Sequence, residues 1–163
     1  LIGLAGGILS SRIIAQYEGQ LRIEPAMAFF MPLIAATAGN VGVQSSAIVV
    51  QGLAAGTLDG VNLAGRLWKE LRVALFTALV CGLLIFGVNL ALDQSQALTY
   101  TVSIALFSVI VTAAMFGTMT PLLLDRIKVD PALATGPFVT TLNDIVGLLI
   151  YFTLGHVMYG LFP

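Results

Sequence analysis

The stretch PFVTTLNDIVGLLIYFTLGHVMYGL, residues 137–161, is long and apolar enough to cross a bilayer as a helix, which takes about 20 residues. One carboxylate, Asp144, lies among its leucines, isoleucines and valines, and no Lys or Arg follows Lys128 in the chain. A charge at the centre of a bilayer costs roughly 2.5–3.5 kcal/mol on insertion scales, so it usually faces a polar cavity or a partner and often marks an ion path. Asp144 is therefore the first candidate functional residue.

The composition extends this membrane assignment to the whole chain. Of its 163 residues, 58% are hydrophobic and 9% are charged, and the mean hydropathy is +1.01. An average soluble domain carries about 25% charged residues, so this chain cannot cover a water-facing surface. We expect an integral protein of the cell (inner) membrane that contacts the lipid bilayer. The net charge of −1, with no basic cluster, predicts no nucleic-acid binding.

The hydrophobic pattern predicts an all-α membrane protein with five transmembrane helices and a single membrane domain over residues 1–163. The five segments run over about 1–17, 25–56, 68–92, 97–124 and 137–161. The second is longer than a span requires and has Gly39, Asn40 and Gly42 in its middle, so we expect it to be long, tilted or locally unwound. Because the chain begins with Leu inside an apolar stretch, we expect it to be part of a longer protein with soluble domains.

Basic residues between the segments predict the orientation. Five of them follow the second and fourth segments, namely Arg66, Lys69, Arg72, Arg126 and Lys128. The opposite side has Arg22 beside Glu18 and Glu24, and Arg12 depending on its depth. The positive-inside rule then places the N-terminus in the cytoplasm and the C-terminus outside it.

Two segments carry a stripe of polar or small residues at helical spacing. On the second segment these are Thr37, Asn40, Gln44 and Gln51; on the fifth they are Thr140, Asp144, Gly147, Tyr151 and Gly155. Such stripes often serve only helix packing, because small residues allow close approach and amides bond across helices. A charged residue inside one of them favours an ion pathway instead.

The residue types at these positions suit a hard cation. Asp144 supplies an anionic oxygen, and neutral oxygens come from Asn40, Thr140, Thr141 and carbonyls near residues 39–42 and Gly136. The other positions assigned to the pathway are Gly39, Gly42, Gln44 and Gly147. One carboxylate per chain is little for a divalent ion, and a two-fold homodimer would bring two copies to its axis.

Two other functions use the same carboxylate. An intramembrane aspartyl protease needs two carboxylates that share a proton, and this chain has one deep carboxylate, so we predict that it is not an enzyme. A proton-coupled transporter of an organic solute, with Asp144 as the proton relay, remains the alternative to a cation pathway.

Two strings in the chain resemble the MgtE family of magnesium transporters. They are PLIAATAGNVGVQSSAIVVQGLAAG, residues 32–56, and DPALATGPFVTTLNDIVGLLIYF, residues 130–152. The first is similar to the family's second transmembrane helix, and the second to its fifth helix with the loop before it.

The resemblance implies a homodimeric Mg²⁺ channel with five helices per subunit, the second and fifth lining the pore. It further implies covalently linked cytoplasmic N and CBS domains that regulate the pore, and Mn²⁺, Co²⁺ or Ca²⁺ as substitutes for the transported Mg²⁺. The family's pore carboxylate falls on Asp144, and its GN.G.Q motif falls on Gly39, Asn40, Gly42 and Gln44. Some members have Asn where this chain has Gly136, which can offer only its carbonyl.

Overall fold

The regular structure of the chain is helical throughout the part described by the computed structural model, residues 1–57, 63–134 and 136–162. In chain order the helices are α1 (Ile2–Gln16), α2 (Glu18–Ile23), α3 (Met27–Ala54), α4 (Leu63–Ala91), α5 (Gln96–Arg126) and α6 (Pro137–Leu161). A short 3₁₀ helix, Pro131–Ala134, precedes α6. No β-strand occurs in the described residues, so the all-α class is confirmed.

Four helices, α3 to α6, are long and apolar enough to cross a membrane, which supports the multi-pass assignment. The predicted last segment has the same bounds as α6, whereas α4 begins at Leu63, earlier than the predicted position 68. The first predicted span corresponds to α1, which has 15 residues and is shorter than the roughly 20 that a span needs. The fifth transmembrane helix therefore stays a prediction.

Helix α3 is long and continuous, so of the three alternatives expected for this segment it shows the first, a long helix, and not local unwinding. It is helical from Met27 to Ala54 and includes Pro32, Gly39 and Gly42. The sequence had suggested the carbonyls of residues 39–42 as oxygen ligands for an ion. They lie inside a regular helix and are not freed for that purpose. In a bilayer the helix keeps each backbone group bonded within its own segment, which favours continuity wherever packing permits it.

Helix α5 lies at the centre of the bundle, packed against α3, α4 and α6. Its side chains Val102, Val109 and Ile110 are fully buried in the apolar core. Several of its hydroxyls donate to the carbonyl one turn earlier; Thr101 bonds Ala97 in this way at 2.7 Å. These polar residues are thereby satisfied within their own helix and do not need a partner across the bundle.

Three helices cross at Gly42 of α3. A Cβ added at Gly117 of α5 would collide with the Gly42 carbonyl oxygen, and a Cβ added at Gly42 would collide with the carboxamide of Asn143 of α6. Small residues at such points allow helix backbones to approach closely in a membrane. This contact, which we call the Gly42 crossing, fixes the position of α6 along the axis of α3.

The start of α3 is tied to α6 by Tyr151. Its hydroxyl donates to the Met27 carbonyl oxygen at 2.9 Å, and both residues are fully buried. Next to it, the ring of Phe152 stacks on Tyr17, with centroids 4.6 Å apart. This second attachment, several turns from the Gly42 crossing, sets the angle between α3 and α6.

Replacing Tyr151 with Phe is expected to lower the free energy of unfolding by about 1 kcal/mol, because it removes one buried hydrogen bond and keeps the ring. Tyr100→Phe is the matched control, since Tyr100 is partly exposed and contacts Phe86 and Phe162 through its ring. Thermal unfolding in detergent, followed by circular dichroism, measures both. Equal melting temperatures for the two variants would contradict the role assigned to the Tyr151 hydroxyl.

Candidate functional site

Asp144 lies on the side of α6 that faces α3, and Gly39 makes room for it. A Cβ added at Gly39 would lie 3.3 Å from Asp144 Oδ1 and 3.5 Å from Thr140 Cγ2. The missing side chain lets the carboxylate lie against the α3 backbone while it remains partly exposed. The structure therefore brings together three predicted site residues, Gly39, Thr140 and Asp144.

The carboxylate opens into a cavity of about 410 Å³ between α1, α3 and α6. Helix α1 contributes Gly6 and Ser10 to the wall, and α6 contributes Thr140, Thr141 and Asp144. Among the lining residues, Asp144 is the one that carries a formal charge. The cavity is thus an apolar and small-residue chamber with one anionic point and a few hydroxyls, which suits a cation that brings its own water.

The two threonines of the cavity have different roles. The Thr140 hydroxyl donates to the carbonyls of Gly136 at 3.2 Å and Pro137 at 3.1 Å, so its lone pairs remain available to accept or to coordinate. Thr141 packs against Gly6 of α1, where an added Cβ would collide with its side chain. Thr140 therefore presents a hydroxyl oxygen to the cavity, whereas Thr141 positions α1 against α6.

Gly136 is the residue immediately before α6, and its carbonyl accepts hydrogen bonds from the first turn of that helix. Its φ of +68° lies in the region that favours glycine, and Pro137 follows at the first helical position. The Gly136 carbonyl accepts from the Thr140 amide at 3.1 Å as well as from the Thr140 hydroxyl. The Gly136 carbonyl thus serves the first turn of α6, and its part in an ion pathway stays a prediction.

The polar residues of α3 lie on a different face from the cavity. Asn40, Gln44 and Gln51 are all exposed and recur at helical spacing, which places them together as predicted. They do not line the Asp144 cavity. Gly42, between them in sequence, faces the interior at the Gly42 crossing. A single subunit thus presents the carboxylate and the amides on neighbouring sides of α3.

The small-residue stripe of α6 divides into two parts. At its start, Thr140 and Asp144 line the cavity. Further along, Gly147 is buried against Ala38 and Val109, and a Cβ at Gly155 would collide with Gln20. Those glycines make helix contacts, and a part for Gly147 in an ion pathway stays a prediction.

Several residues near the site were not predicted from the sequence. The α1 wall of the cavity was missed, although Gly3, Gly7 and Ser10 form a small-residue pattern that could have indicated it. Asn143, next to Asp144, is 2% exposed, and its carboxamide has no hydrogen-bond partner within the described chain. Towards the other end of α3, Ser45 donates to a carboxylate oxygen of Glu70 at 2.6 Å.

The chain offers few metal ligands in one place. The described residues contain no group of three or more His, Cys, Asp or Glu side chains that could hold a metal ion. A cation at Asp144 would therefore keep most of its hydration shell, as Mg²⁺ tends to do in proteins.

Comparison with known proteins gives consistent matches along the chain. A family described as "MgtE: Divalent cation transporter" matches residues 31–154. "Magnesium transporter MgtE" of Bacillus subtilis (strain 168) is 39% identical over 146 residues, covering 90% of this chain and 32% of that protein. The protein of the same name in Enterococcus faecalis (strain ATCC 700802 / V583) is 33% identical over 96% of this chain and 34% of its own length.

A third relative, "Magnesium transporter MgtE" of Thermus thermophilus, is 34% identical over 93% of this chain and 34% of its own length. This chain therefore spans about a third of the length of these curated relatives.

Proposed function

Because this chain belongs to the MgtE family of divalent cation transporters, a class of membrane transporters and not of enzymes, we propose that it conducts Mg²⁺ across the membrane and that Asp144 holds the ion. The observation that carries the proposal is the position of the carboxylate, against Gly39 and facing the cavity between α1, α3 and α6. The names of three relatives as magnesium transporters support Mg²⁺ as the ion.

The cavity suits an ion that stays hydrated. Six waters at about 30 Å³ each occupy about 180 Å³, and the cavity has about 410 Å³. Asp144 attracts the ion by charge and accepts hydrogen bonds from its waters, while Thr140 offers a hydroxyl oxygen. Such water-mediated binding admits the ion without trapping it, which conduction requires. Other divalent ions that prefer oxygen ligands, Mn²⁺, Co²⁺ and Ca²⁺, are expected to compete.

The exposed polar face of α3 supports a homodimer. Asn40, Gln44 and Gln51 are exposed on one subunit, and amides facing lipid would lack hydrogen-bond partners. A second copy against this face would give the amides a polar environment and would place the pore at the two-fold axis. In this arrangement α3 and α6 line the pore, α1 serves as a short fifth span, and two copies of Asp144 share the pathway.

We further propose the setting of this domain in the whole protein. The curated relatives are about three times as long as this chain, which supports covalently linked cytoplasmic domains that regulate the pore. The five basic residues in the first turns of α4 and around the end of α5 support a cytoplasmic N-terminus and an extracytoplasmic C-terminus in the cell (inner) membrane.

Flux in liposomes tests the proposal. The purified chain is reconstituted with a trapped Mg²⁺ indicator, and an inward Mg²⁺ gradient is applied with and without a pH gradient. We expect Mg²⁺ entry in both conditions, and native mass spectrometry is expected to find two chains per complex. The alternative of proton-coupled solute transport, which the comparisons do not favour, requires proton movement and no Mg²⁺ entry. Absence of Mg²⁺ entry in both conditions would overturn the proposed function.

A further inference from the structure

The outer face of α4 leaves a row of large side chains exposed. Trp68, Phe76, Leu79 and Leu83 are between 51% and 70% exposed, and Arg72 is exposed among them. In chain order these residues recur at spacings of four, four, three and four, so they form one stripe along the helix. We call this surface the α4 stripe. It is basic at one end and apolar along the rest of its length.

The basic end of the α4 stripe has no counter-charge on its own side of the helix. Lys69 is exposed one turn before Arg72, and neither side chain makes an ion pair within the described chain. Glu70 is the one acidic residue of α4, and it faces α3 instead, where it accepts a hydrogen bond from Ser45 at 2.6 Å. Two cationic groups therefore face outwards together with their charge unneutralised.

The length of the stripe matches one leaflet of a bilayer. From Arg72 to Leu83 the distance along the helix is about 17 Å, at 1.5 Å per residue. The hydrocarbon core of a bilayer is about 30 Å thick, so one leaflet contributes about 15 Å of it. A molecule seated on the stripe would therefore have an anionic group at one end and an apolar part about as long as a lipid chain.

Two other occupants fit this surface less well. A second copy of the chain, related by a two-fold axis along the membrane normal, presents residues of equal depth, so Lys69 and Arg72 would face their own copies and repel them. An acidic soluble protein could pair with these bases, but it could not reach Phe76 and Leu83 inside the apolar span. An anionic phospholipid complements both ends of the stripe.

We propose that the α4 stripe binds an anionic phospholipid, with its phosphate held by Lys69 and Arg72 and one acyl chain along the apolar part of the stripe. Both side chains bind phosphate through charge-assisted hydrogen bonds. Trp68 lies at the level of the headgroup, where its indole N–H is a further donor. In the orientation proposed above this is the cytoplasmic leaflet, in which anionic lipids are concentrated.

The single tryptophan of the chain, Trp68, reports on the site directly. The purified chain is reconstituted in phosphatidylcholine bilayers, and quenching of its fluorescence by phosphatidylglycerol with brominated chains is compared with quenching by brominated phosphatidylcholine. We expect phosphatidylglycerol to bind about tenfold more tightly or better, as two basic residues at a membrane surface provide. The double variant Lys69→Gln with Arg72→Gln should bind the two lipids equally.

The double variant Arg126→Gln with Lys128→Asn is the matched control. Both residues are exposed around the end of α5, so the variant removes the same two charges outside the α4 stripe. Asn at position 128 tolerates the φ of 59° found there. This variant should keep the preference for phosphatidylglycerol.

Four results would overturn the proposal. Equal quenching by the two lipids in the unaltered chain would exclude an anionic preference, and this comparison needs no variant to fold. Equal losses in the two double variants would assign the preference to the general charge of this end of the bundle. Relief of quenching by soluble glycerol phosphate would leave a phosphate site without a lipid chain. Absence of quenching by either lipid would show that protein, such as a second copy, covers the face.

Discussion

Replacing Asp144 with Asn is expected to reduce Mg²⁺ flux in liposomes by about 100-fold or more. Asn has nearly the same shape, so the contact with Gly39 remains, but the cavity loses its one formal charge. At an effective dielectric constant of 20, two unit charges 4 Å apart attract by about 4 kcal/mol, and each 1.4 kcal/mol corresponds to a tenfold change. The change in initial rate at fixed Mg²⁺ concentration is the measurement.

Asp93→Asn is the matched control for this charge. Asp93 is exposed in the turn between α4 and α5 with a φ of 51°, a conformation that Asn also tolerates. The variant removes the same charge without touching the cavity, so its flux should stay within about twofold, as expected for a screened surface charge. Equal losses in the two variants, or full flux in Asp144→Asn, would remove Asp144 from the pathway.

Replacing Gly117 with Ala is expected to have the largest effect on stability. The new methyl group would collide with the Gly42 carbonyl oxygen, a backbone atom that cannot turn aside as a side chain could. Overpacking typically costs about 1–3 kcal/mol and more where the neighbour cannot move, so we place this variant at or above about 3 kcal/mol. Thermal unfolding in detergent and the yield of monodisperse protein report the loss.

Gly87→Ala provides the control on α4. An added Cβ there meets nothing within 4 Å, and alanine is favoured over glycine in a helix interior by about 1 kcal/mol. This variant should be as stable as the unaltered chain or slightly more stable. If Gly117→Ala matched it, the backbone contact at the Gly42 crossing would be absent in the membrane protein.

The features that depend on composition or local pattern were predictable from the sequence. The membrane class follows from the low charge content, and the start of α6 follows from Gly136 and Pro137. The continuity of α3 could not be read in this way. Gly39 and Gly42 look like helix breakers in isolation, yet they serve as contact points for α6 and α5, which lie far along the chain.

The candidate site, like the fold, was predictable from the sequence only in part. Asp144 was identified because its cost in a membrane is intrinsic to the residue type. The α1 wall was not, because a pattern of small residues such as Gly3, Gly7 and Ser10 does not say which helix they pack against; that follows only from the packing of α1 against Thr141. The sequence also predicted that Asn40 lies beside the carboxylate. Within one subunit, however, Asn40 is on a face of α3 that does not line the Asp144 cavity.

The Gly42 crossing also limits how the bundle can move. Where side chains separate two helices, they can exchange rotamers and let the helices slide. At this point backbone lies directly on backbone, so a slide would drive the Gly42 carbonyl into the next turn of α5. The crossing therefore resists sliding of α3 along α5, while the Tyr151–Met27 hydrogen bond at the start of α3 resists its rotation against α6.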